Sequence, residues 1–284
     1  MGIIRTTLLT GLLGAAGGVA SVGAGAAYLA ANTAVVNLTK DDPIFKSKTY
    51  KKYNPKDNPA LQDECIKRVP LSKIRPELRD NEEALALEFC RGIWSRWGAI
   101  GSLSLSPFPL PFYFLFFILI FFFLFFPTHC RDAAQTANQT FCLPPFPALA
   151  GFWAQSKLQE RYDKPPGTDD NLWHVKDLAV SKYDKGLRFS NHFEVVEHQG
   201  NQIVVRCGGS PLEPGLRNSD GLIFLSARVD KQAQQAEFSL KTTLFNSAAP
   251  HVEGADHPIP PKITFLHRWY VRMLVESAVR NVKA

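Results

Sequence analysis

The sequence is poor in cysteine: Cys65, Cys90, Cys130, Cys142 and Cys207 are its only five in 284 residues. An odd, widely spaced set makes a poor disulfide framework, and no pair has metal-ligand spacing. The set reads as free thiols in a reducing compartment, with no metal centre expected. Also missing are a Gly-rich phosphate loop, an H-E-x-x-H pair, a paired-carboxylate motif and a G-x-S-x-G turn. Their absence removes the usual signatures of nucleotide, metalloprotease and serine-hydrolase chemistry, and no cofactor is expected. Acidic residues are absent before Asp41. The net charge is only mildly positive, +6. No Lys/Arg cluster is dense enough for nucleic acid, and no aromatic and basic residues interleave as a stacking groove would need. The excess suits a weak attraction to anionic lipid headgroups.

What is present begins with two apolar segments of different character. Residues 8–31 carry no charge and are rich in Gly and Ala. At 1.5 Å per residue this stretch exceeds a hydrocarbon core of roughly 30 Å, so it reads as an N-terminal apolar helix and membrane anchor. Gly14 and Gly18 form a small-xxx-small pair that would let two such helices self-associate. Arg5 precedes the segment, whereas Lys40, Lys46, Lys48, Lys51 and Lys52 follow it. By the positive-inside rule this is a single-pass protein with its soluble domain in the cytosol. A cleaved signal peptide (Ala24-Gly25-Ala26), a mitochondrial presequence and N-myristoylation at Gly2 are rival readings of the same stretch. A mitochondrial membrane fits the absence of early acids.

The second segment, residues 107–127, reads PFPLPFYFLFFILIFFFLFFP. From Ser102 to Pro127 every residue is Phe, Leu, Ser or Pro, save Tyr113, Ile118 and Ile120. Those four types share codons with pyrimidines at both leading positions, which is the signature of a splice-acceptor tract. Natural spans mix in Val, Ala and Gly freely. The flanks agree, because residues 82–98 and 151–165 look like two halves of one amphipathic helix. Residues 99–150 are therefore read as a translated intron. The alternative is a second span that would move the C-terminal domain across the membrane. The resulting organisation is an anchor (1–40), a linker and helix (41–98), the Phe-rich insertion (99–150) and a soluble α+β domain (151–284).

Residues 40–77 hold five scattered prolines and read as an ordered linker without a core element. Asn81 is a plausible N-cap for a helix starting at Glu82. From Lys182 the period becomes strand-like, with strands expected over 191–197, 202–207, 222–230 and 236–245. Short links carrying turn residues favour an antiparallel β-meander. A Pro-rich spacer then leads to a long C-terminal helix over 262–283, with Ile263, Leu266, Tyr270, Leu274, Ala278 and Val282 as its apolar stripe. The expected fold is α+β: a meander packed on that helix, in the manner of helix-grip or hot-dog folds.

Several stretches carry a resemblance. They are DDPIF at Asp41, LQDECIKRVPLSKIRPEL at Leu61, EFCRGIWS at Glu88, VVRCGGSPLEPGLRNSDGL at Val204, and LHRWY followed by ESAVRNVK near the end. With these the chain resembles an uncharacterised family of fungal proteins, mostly from filamentous ascomycetes. The likeness covers most of the chain outside residues 99–150, and that interval departs from the pattern. It implies a short protein with an N-terminal membrane segment and implies no activity.

Candidate chemistry is sparse. Cys207 ends a strand before a Gly-Gly turn; it reads as a nucleophile with His192 or His267 as base, or as a buried small hydrophobe. Arg206, Arg217 and Asp220 frame the long loop; they would bind an acidic ligand or pair with one another to hold it. His267 lies at the edge of the helix stripe near Tyr270 and would face a cavity or sit in the core. Glu276 and Arg280, four apart, read as a surface ion pair. Three functions follow: a module holding an apolar small molecule or lipid in a sheet–helix cavity at its membrane; a structural or assembly factor of an organelle membrane; and an enzyme of the thioesterase or cyclase kind.

Overall fold

Period-two alternation builds the sheet. A computed structural model describes residues 23–95, 166–251, 254, 257 and 259–284. The readings of residues 1–22, of Gly14 and Gly18, of the Phe-rich interval, of Cys130 and Cys142, and of a helix continuing to Tyr162 lie outside them. The described residues fall into two units, 23–31 belonging to one and 32–95 with 166–284 to the other. Residues 23–31 are helical. Among the described residues no helix is long and apolar enough to cross a membrane.

The second unit is an α+β fold around a seven-stranded, wholly antiparallel sheet. In chain order its strands and helices are β1 (Ala34–Asn37), α1 (Pro43–Lys46), α2 (Lys48–Tyr53), β2 (Ala60–Pro70) and α3 (Glu82–Ser95). Then come α4 (Val175–Val180), β3 (Arg188–Phe189), β4 (Phe193–Gln199), β5 (Gln202–Gly208), β6 (Asp220–Asp230), β7 (Gln235–Phe245) and α5 (Pro261–Val279). The strand order is β1-β2-β7-β6-β5-β4-β3. β4 to β7 form the meander that the alternation predicts. Gly200, at φ 54°, gives β4 and β5 their two-residue turn. The Asp230 carboxylate accepts from the Gln232 and Ala233 amides to close the β6–β7 hairpin.

Asn81 caps α3 as expected: its side-chain oxygen accepts from the Ala84 amide at 2.9 Å. Glu82 in the first turn reaches across to the sheet, accepting from the Val229 amide at 2.7 Å and from Asn201 at 3.1 Å. α3 and α5 pack on one face of the sheet. Leu85, Phe89 and Ile93 of α3, Val275 and Ala278 of α5, and Ile203, Leu225 and Phe238 of the sheet are essentially inaccessible to solvent. Phe89 and Phe238 have ring centroids 5.2 Å apart. A Cβ at Gly92 would lie 2.6 Å from the Ala278 carbonyl oxygen, so only glycine lets α3 and α5 cross this closely. Along α3, then, the space between helix and sheet is filled with side chains. On the outer face a smaller core of Leu38, Ile44, Tyr50, Val204, Leu222, Phe224 and Phe245 seats α1 and α2.

Two expectations need correction. Residues 40–77 are not a coreless linker: β2 is an eleven-residue strand lying between β1 and β7. Its alternation was concealed because Asp63 and Lys67 occupy the same buried phase as Leu61, Cys65 and Val69. Likewise, the buried stripe of α5 runs through Ile263, His267, Val271, Leu274, Val275, Glu276 and Ala278, while Leu266 and Tyr270 are only half-buried. Ile263, Leu274, Ala278 and Val282 of the expected stripe are buried; the inward histidine and glutamate are what the apolar pattern leaves out.

Candidate functional site at the seam of strand and closing helix

The seam between β2 and α5 is built from ionisable residues in a core that is otherwise apolar. Successive inward positions of β2 present Asp63, Cys65 and Lys67 to α5. Each charge meets one helix residue. His267 donates from Nε2 to the Asp63 carboxylate at 3.2 Å, with the two side chains 5% and 0% exposed. Lys67 Nζ lies 2.7 Å from Glu276, both almost fully buried, and also donates to the Asn32 carbonyl at 3.3 Å. Arg280 approaches Glu276 only to 3.9 Å and is itself mostly exposed. Glu276 therefore keeps the i,i+4 pairing with Arg280 that its spacing suggests only at the limit of an ion pair; it is buried, and its close partner is Lys67.

One oxygen in this seam is unsatisfied. Asp63 Oδ2 is buried and has no hydrogen-bond partner among the described residues; Arg272 Nε is a buried donor in the same condition. A buried carboxylate with a single imidazole partner is costly to hold unless something else meets its second oxygen. Burial pushes the Cys65 thiol up to about 12, against the opposing pull of the nearby Arg272 charge, so it stays protonated at neutral pH. At the sheet edge Arg268 donates to Asn37 of β1. An Asp–His pair of this kind can fix one imidazole tautomer and accept a donor group from a bound molecule.

The other expected site residues are distributed over both faces of the sheet. Arg206 and Asp220 lie on the outer face, in a two-pronged pair at 2.8 and 2.7 Å. The same guanidinium donates to the Gly215 carbonyl and stacks 4.4 Å from the centre of the Tyr53 ring. Arg217 is buried and donates to the carbonyls of Gly209 and Glu213, while its own amide donates to Ser247 Oγ at 2.8 Å. Ser247 in turn donates to Asp220 at 2.7 Å. These groups pair with one another and hold the 209–219 loop; Ser247 is a member that no motif or spacing singles out.

Cys207 projects to the inner face. Burial pushes its thiol up to about 12, so it is uncharged and a weak nucleophile. Burial also raises the Tyr270 phenol, with Cys207 as the second contributor. Gly221 leaves the room that Cys207 fills, since a Cβ there would stand 3.0 Å from its sulfur. His192 donates from Nδ1 to the Gly208 carbonyl at 3.1 Å. Cys207 and the Arg206–Asp220 pair thus face opposite sides of β5, and His267 sits over β2, three strands away from Cys207.

Burial holds His192 below the ordinary histidine range, while its bond to Gly208 works weakly the other way. A folded value below the unfolded value of about 6.5 means the folded state prefers the neutral ring. That contribution is complete above about pH 6.5 and is lost as pH falls through it. The thermal midpoint should therefore decline between pH 7 and 5, and His192→Gln should decline less. Equal slopes for the two proteins would contradict this assignment.

An open polar groove of about 860 Å³ lies at the β6–β7 hairpin end, lined by Arg68, Arg79, Glu82, Arg228 and Glu237 among others. Its charges largely pair across it, Arg68 with Glu237 and Lys231 with Asp80. Among the described residues no cluster of three or more His, Cys, Asp or Glu has the arrangement of a metal site. No family model, no curated protein and no solved structure matches the chain.

Proposed function

We propose that the chain is a membrane-tethered binding module, holding a small, largely apolar molecule at the β2–α5 seam. The observation that carries this reading is Asp63 Oδ2, a fully buried carboxylate oxygen with no partner among the described residues. Water-excluded acceptors are nearly always met by a donor. The molecule would therefore present a hydroxyl or amine to Asp63, and its apolar body would lie under the N-terminal half of α5. The architecture supports the same reading. Strand β2 lies beside the last strand, β7, and a long helix closes over the sheet, which is how helix-grip cavities are assembled. That is analogy of fold, and the site carries the argument. The filled packing along α3 favours the seam as the ligand's position. The apolar stretch at 8–31 and the lysines after it support a domain on the cytosolic side of a membrane, and the resemblance to fungal proteins with an N-terminal membrane segment supports the tether.

The test is to purify the full chain from its membranes, extract it with organic solvent and identify what comes off by mass spectrometry. Wild type should carry one species near equimolar amount. Asp63→Leu should lose it at least tenfold, while its unfolding free energy stays within about 1 kcal/mol, because removing an under-satisfied buried charge offsets the lost histidine contact. A wild-type protein that carries nothing would end the proposal.

One observation favours a second reading. An imidazole oriented by a buried carboxylate is the usual form of a general base. A thioesterase-like activity would show as hydrolysis of acyl-thioester substrates that disappears in His267→Gln.

A further inference from the structure

The two short helices α1 and α2 carry a charge distribution that the fold itself does not explain. Between residues 40 and 56 the chain has Lys40, Lys46, Lys48, Lys51, Lys52 and Lys56 against only Asp41 and Asp42. All six lysines are exposed. Asp41 and Asp57 are exposed beside these lysines, while three other acidic neighbours are already engaged. Asp42 is paired with Lys241 at 2.7 Å, Glu64 accepts from Ser239 at 2.5 Å, and Glu197 accepts from Thr49. Among the described residues no salt bridge neutralises Lys46, Lys48, Lys51 or Lys52, and Lys52 lies over the Tyr53 ring.

The lysines are also fixed in one orientation. Asp42 caps α1 by accepting from the Ile44 amide, and Ser47 caps α2 by accepting from the Tyr50 amide. Ile44 and Tyr50 are buried, and Tyr50 packs edge-on against Phe245 of β7 with ring centroids 6.0 Å apart. Asn54 and Asn58 lock the end of α2 through Asn54 Nδ2 to the Asn58 carbonyl and the Asn58 amide to Asn54 Oδ1, both at 2.9 Å. With Tyr50 turned inward, Lys48, Lys51 and Lys52 stand three and four residues apart and share the outward side of the helix. A capped, anchored pair of helices whose exposed charges are mostly ammonium groups, six lysines against Asp41 and Asp57, is suited to a partner of extended negative charge.

We propose that α1 and α2 form a docking face for anionic lipid headgroups. Two features choose a lipid surface over other polyanions. The uncharged stretch at 8–31 ends nine residues before Lys40, so the face follows closely on a segment with the length and composition of a membrane span. The aromatics among these lysines also serve the fold and do not form an open stacking row: Tyr50 is buried, Phe45 packs edge-on against it, and the Tyr53 ring carries Lys52 and Arg206. Each lysine near an anionic leaflet contributes about 1 kcal/mol, which is roughly fivefold in local residence. Such a face would fix how the domain lies against its membrane. It stands apart from the ligand proposed for the seam, so either proposal can fail without the other.

The experiment is amine labelling of the full chain in lipid nanodiscs, read at each lysine by mass spectrometry. One set is phosphatidylcholine alone, and the other contains about a third phosphatidylserine. Lys46, Lys48, Lys51 and Lys52 should label at least fivefold more slowly in the anionic discs, and the difference should vanish in about 0.5 M NaCl, where screening is nearly complete. Lys231 is the internal control. It lies in the β6–β7 turn, ten residues of strand from Phe245 and so roughly 34 Å from the seat of α2. Equal labelling in the two lipids would overturn the proposal. So would protection that is equal in neutral discs or that survives high salt, since either would make charge irrelevant to the contact.

Discussion

Asp220→Asn is expected to lower the unfolding free energy by about 3–5 kcal/mol and to open the 209–219 loop to trypsin. The substitution preserves shape and removes only charge. Arg206 would then remain as a buried cation, its guanidinium still confined beside Tyr53 and the Gly215 carbonyl. The desolvation of that cation is no longer offset, and this penalty, more than the lost attraction, sets the magnitude. The effect spreads through Ser247, which donates to Asp220 and also accepts from the Arg217 amide. Once Ser247 loses its carboxylate partner, the backbone at Arg217 loosens. Wild type buries Arg217 and should resist cleavage after it; the variant should be cut there. A urea midpoint shifted by less than about 1 kcal/mol, with no cleavage at Arg217, would mean the pair is solvated in solution and does not hold the loop. Given a typical total stability of about 5–15 kcal/mol, the expected loss is a large share.

The same pair illustrates what sequence can and cannot reveal. Arg206, Arg217 and Asp220 were visible as polar residues around a long loop, and pairing within the loop was one of their two readings. The choice between them needed the third dimension, because Ser247 lies beyond β7 and nothing local connects it to Asp220. The meander was legible because β4 to β7 follow ordinary alternation with turn residues between them. β2 was not, because its inward positions carry Asp63 and Lys67, and a charge in the buried phase erases a hydrophobic period. The stripe of α5 is legible at Ile263, Leu274 and Ala278 and fails at Leu266 and Tyr270, because His267 and Glu276 hold inward positions that a hydrophobic pattern passes over.

Those failures coincide in space. The residues that spoiled the pattern of β2 and the residues that spoiled the pattern of α5 are each other's partners: Asp63 with His267, and Lys67 with Glu276. A charge placed in the buried phase of one element needs a complement, and the complement must break the pattern of the element facing it. Local rules fail in pairs for this reason, and such pairs mark where a chain gives up packing energy for something else. In this fold they lie on one seam, which is the argument for looking there for function and not at Cys207, whose pattern and environment agree that it is a core residue.

Removing either member of the Lys67–Glu276 pair should cost about 3–5 kcal/mol, whereas replacing both together, Lys67→Met with Glu276→Leu, should leave stability within about 1 kcal/mol of wild type or above it. The two groups are almost fully buried at 2.7 Å, so each single change strands a charge. Glu276→Leu leaves Lys67, among the described residues, with the Asn32 carbonyl at 3.3 Å. Lys67→Met leaves Glu276 with Arg280 at 3.9 Å, the limit of an ion pair and too exposed to compensate. The double change restores an apolar seam of similar volume between β2 and α5. Equilibrium urea unfolding of the four proteins gives the coupling energy directly, and a value above about 2 kcal/mol is expected. A coupling near zero would mean that the two charges reach water separately. A double variant as weak as the singles would mean that the pair contributes geometry that apolar side chains cannot supply. The ligand proposed for the seam offers an independent check on the same four proteins. The double variant leaves Asp63 and His267 in place, so it should retain whatever molecule wild type carries, and only loss of the carboxylate at Asp63 should release it.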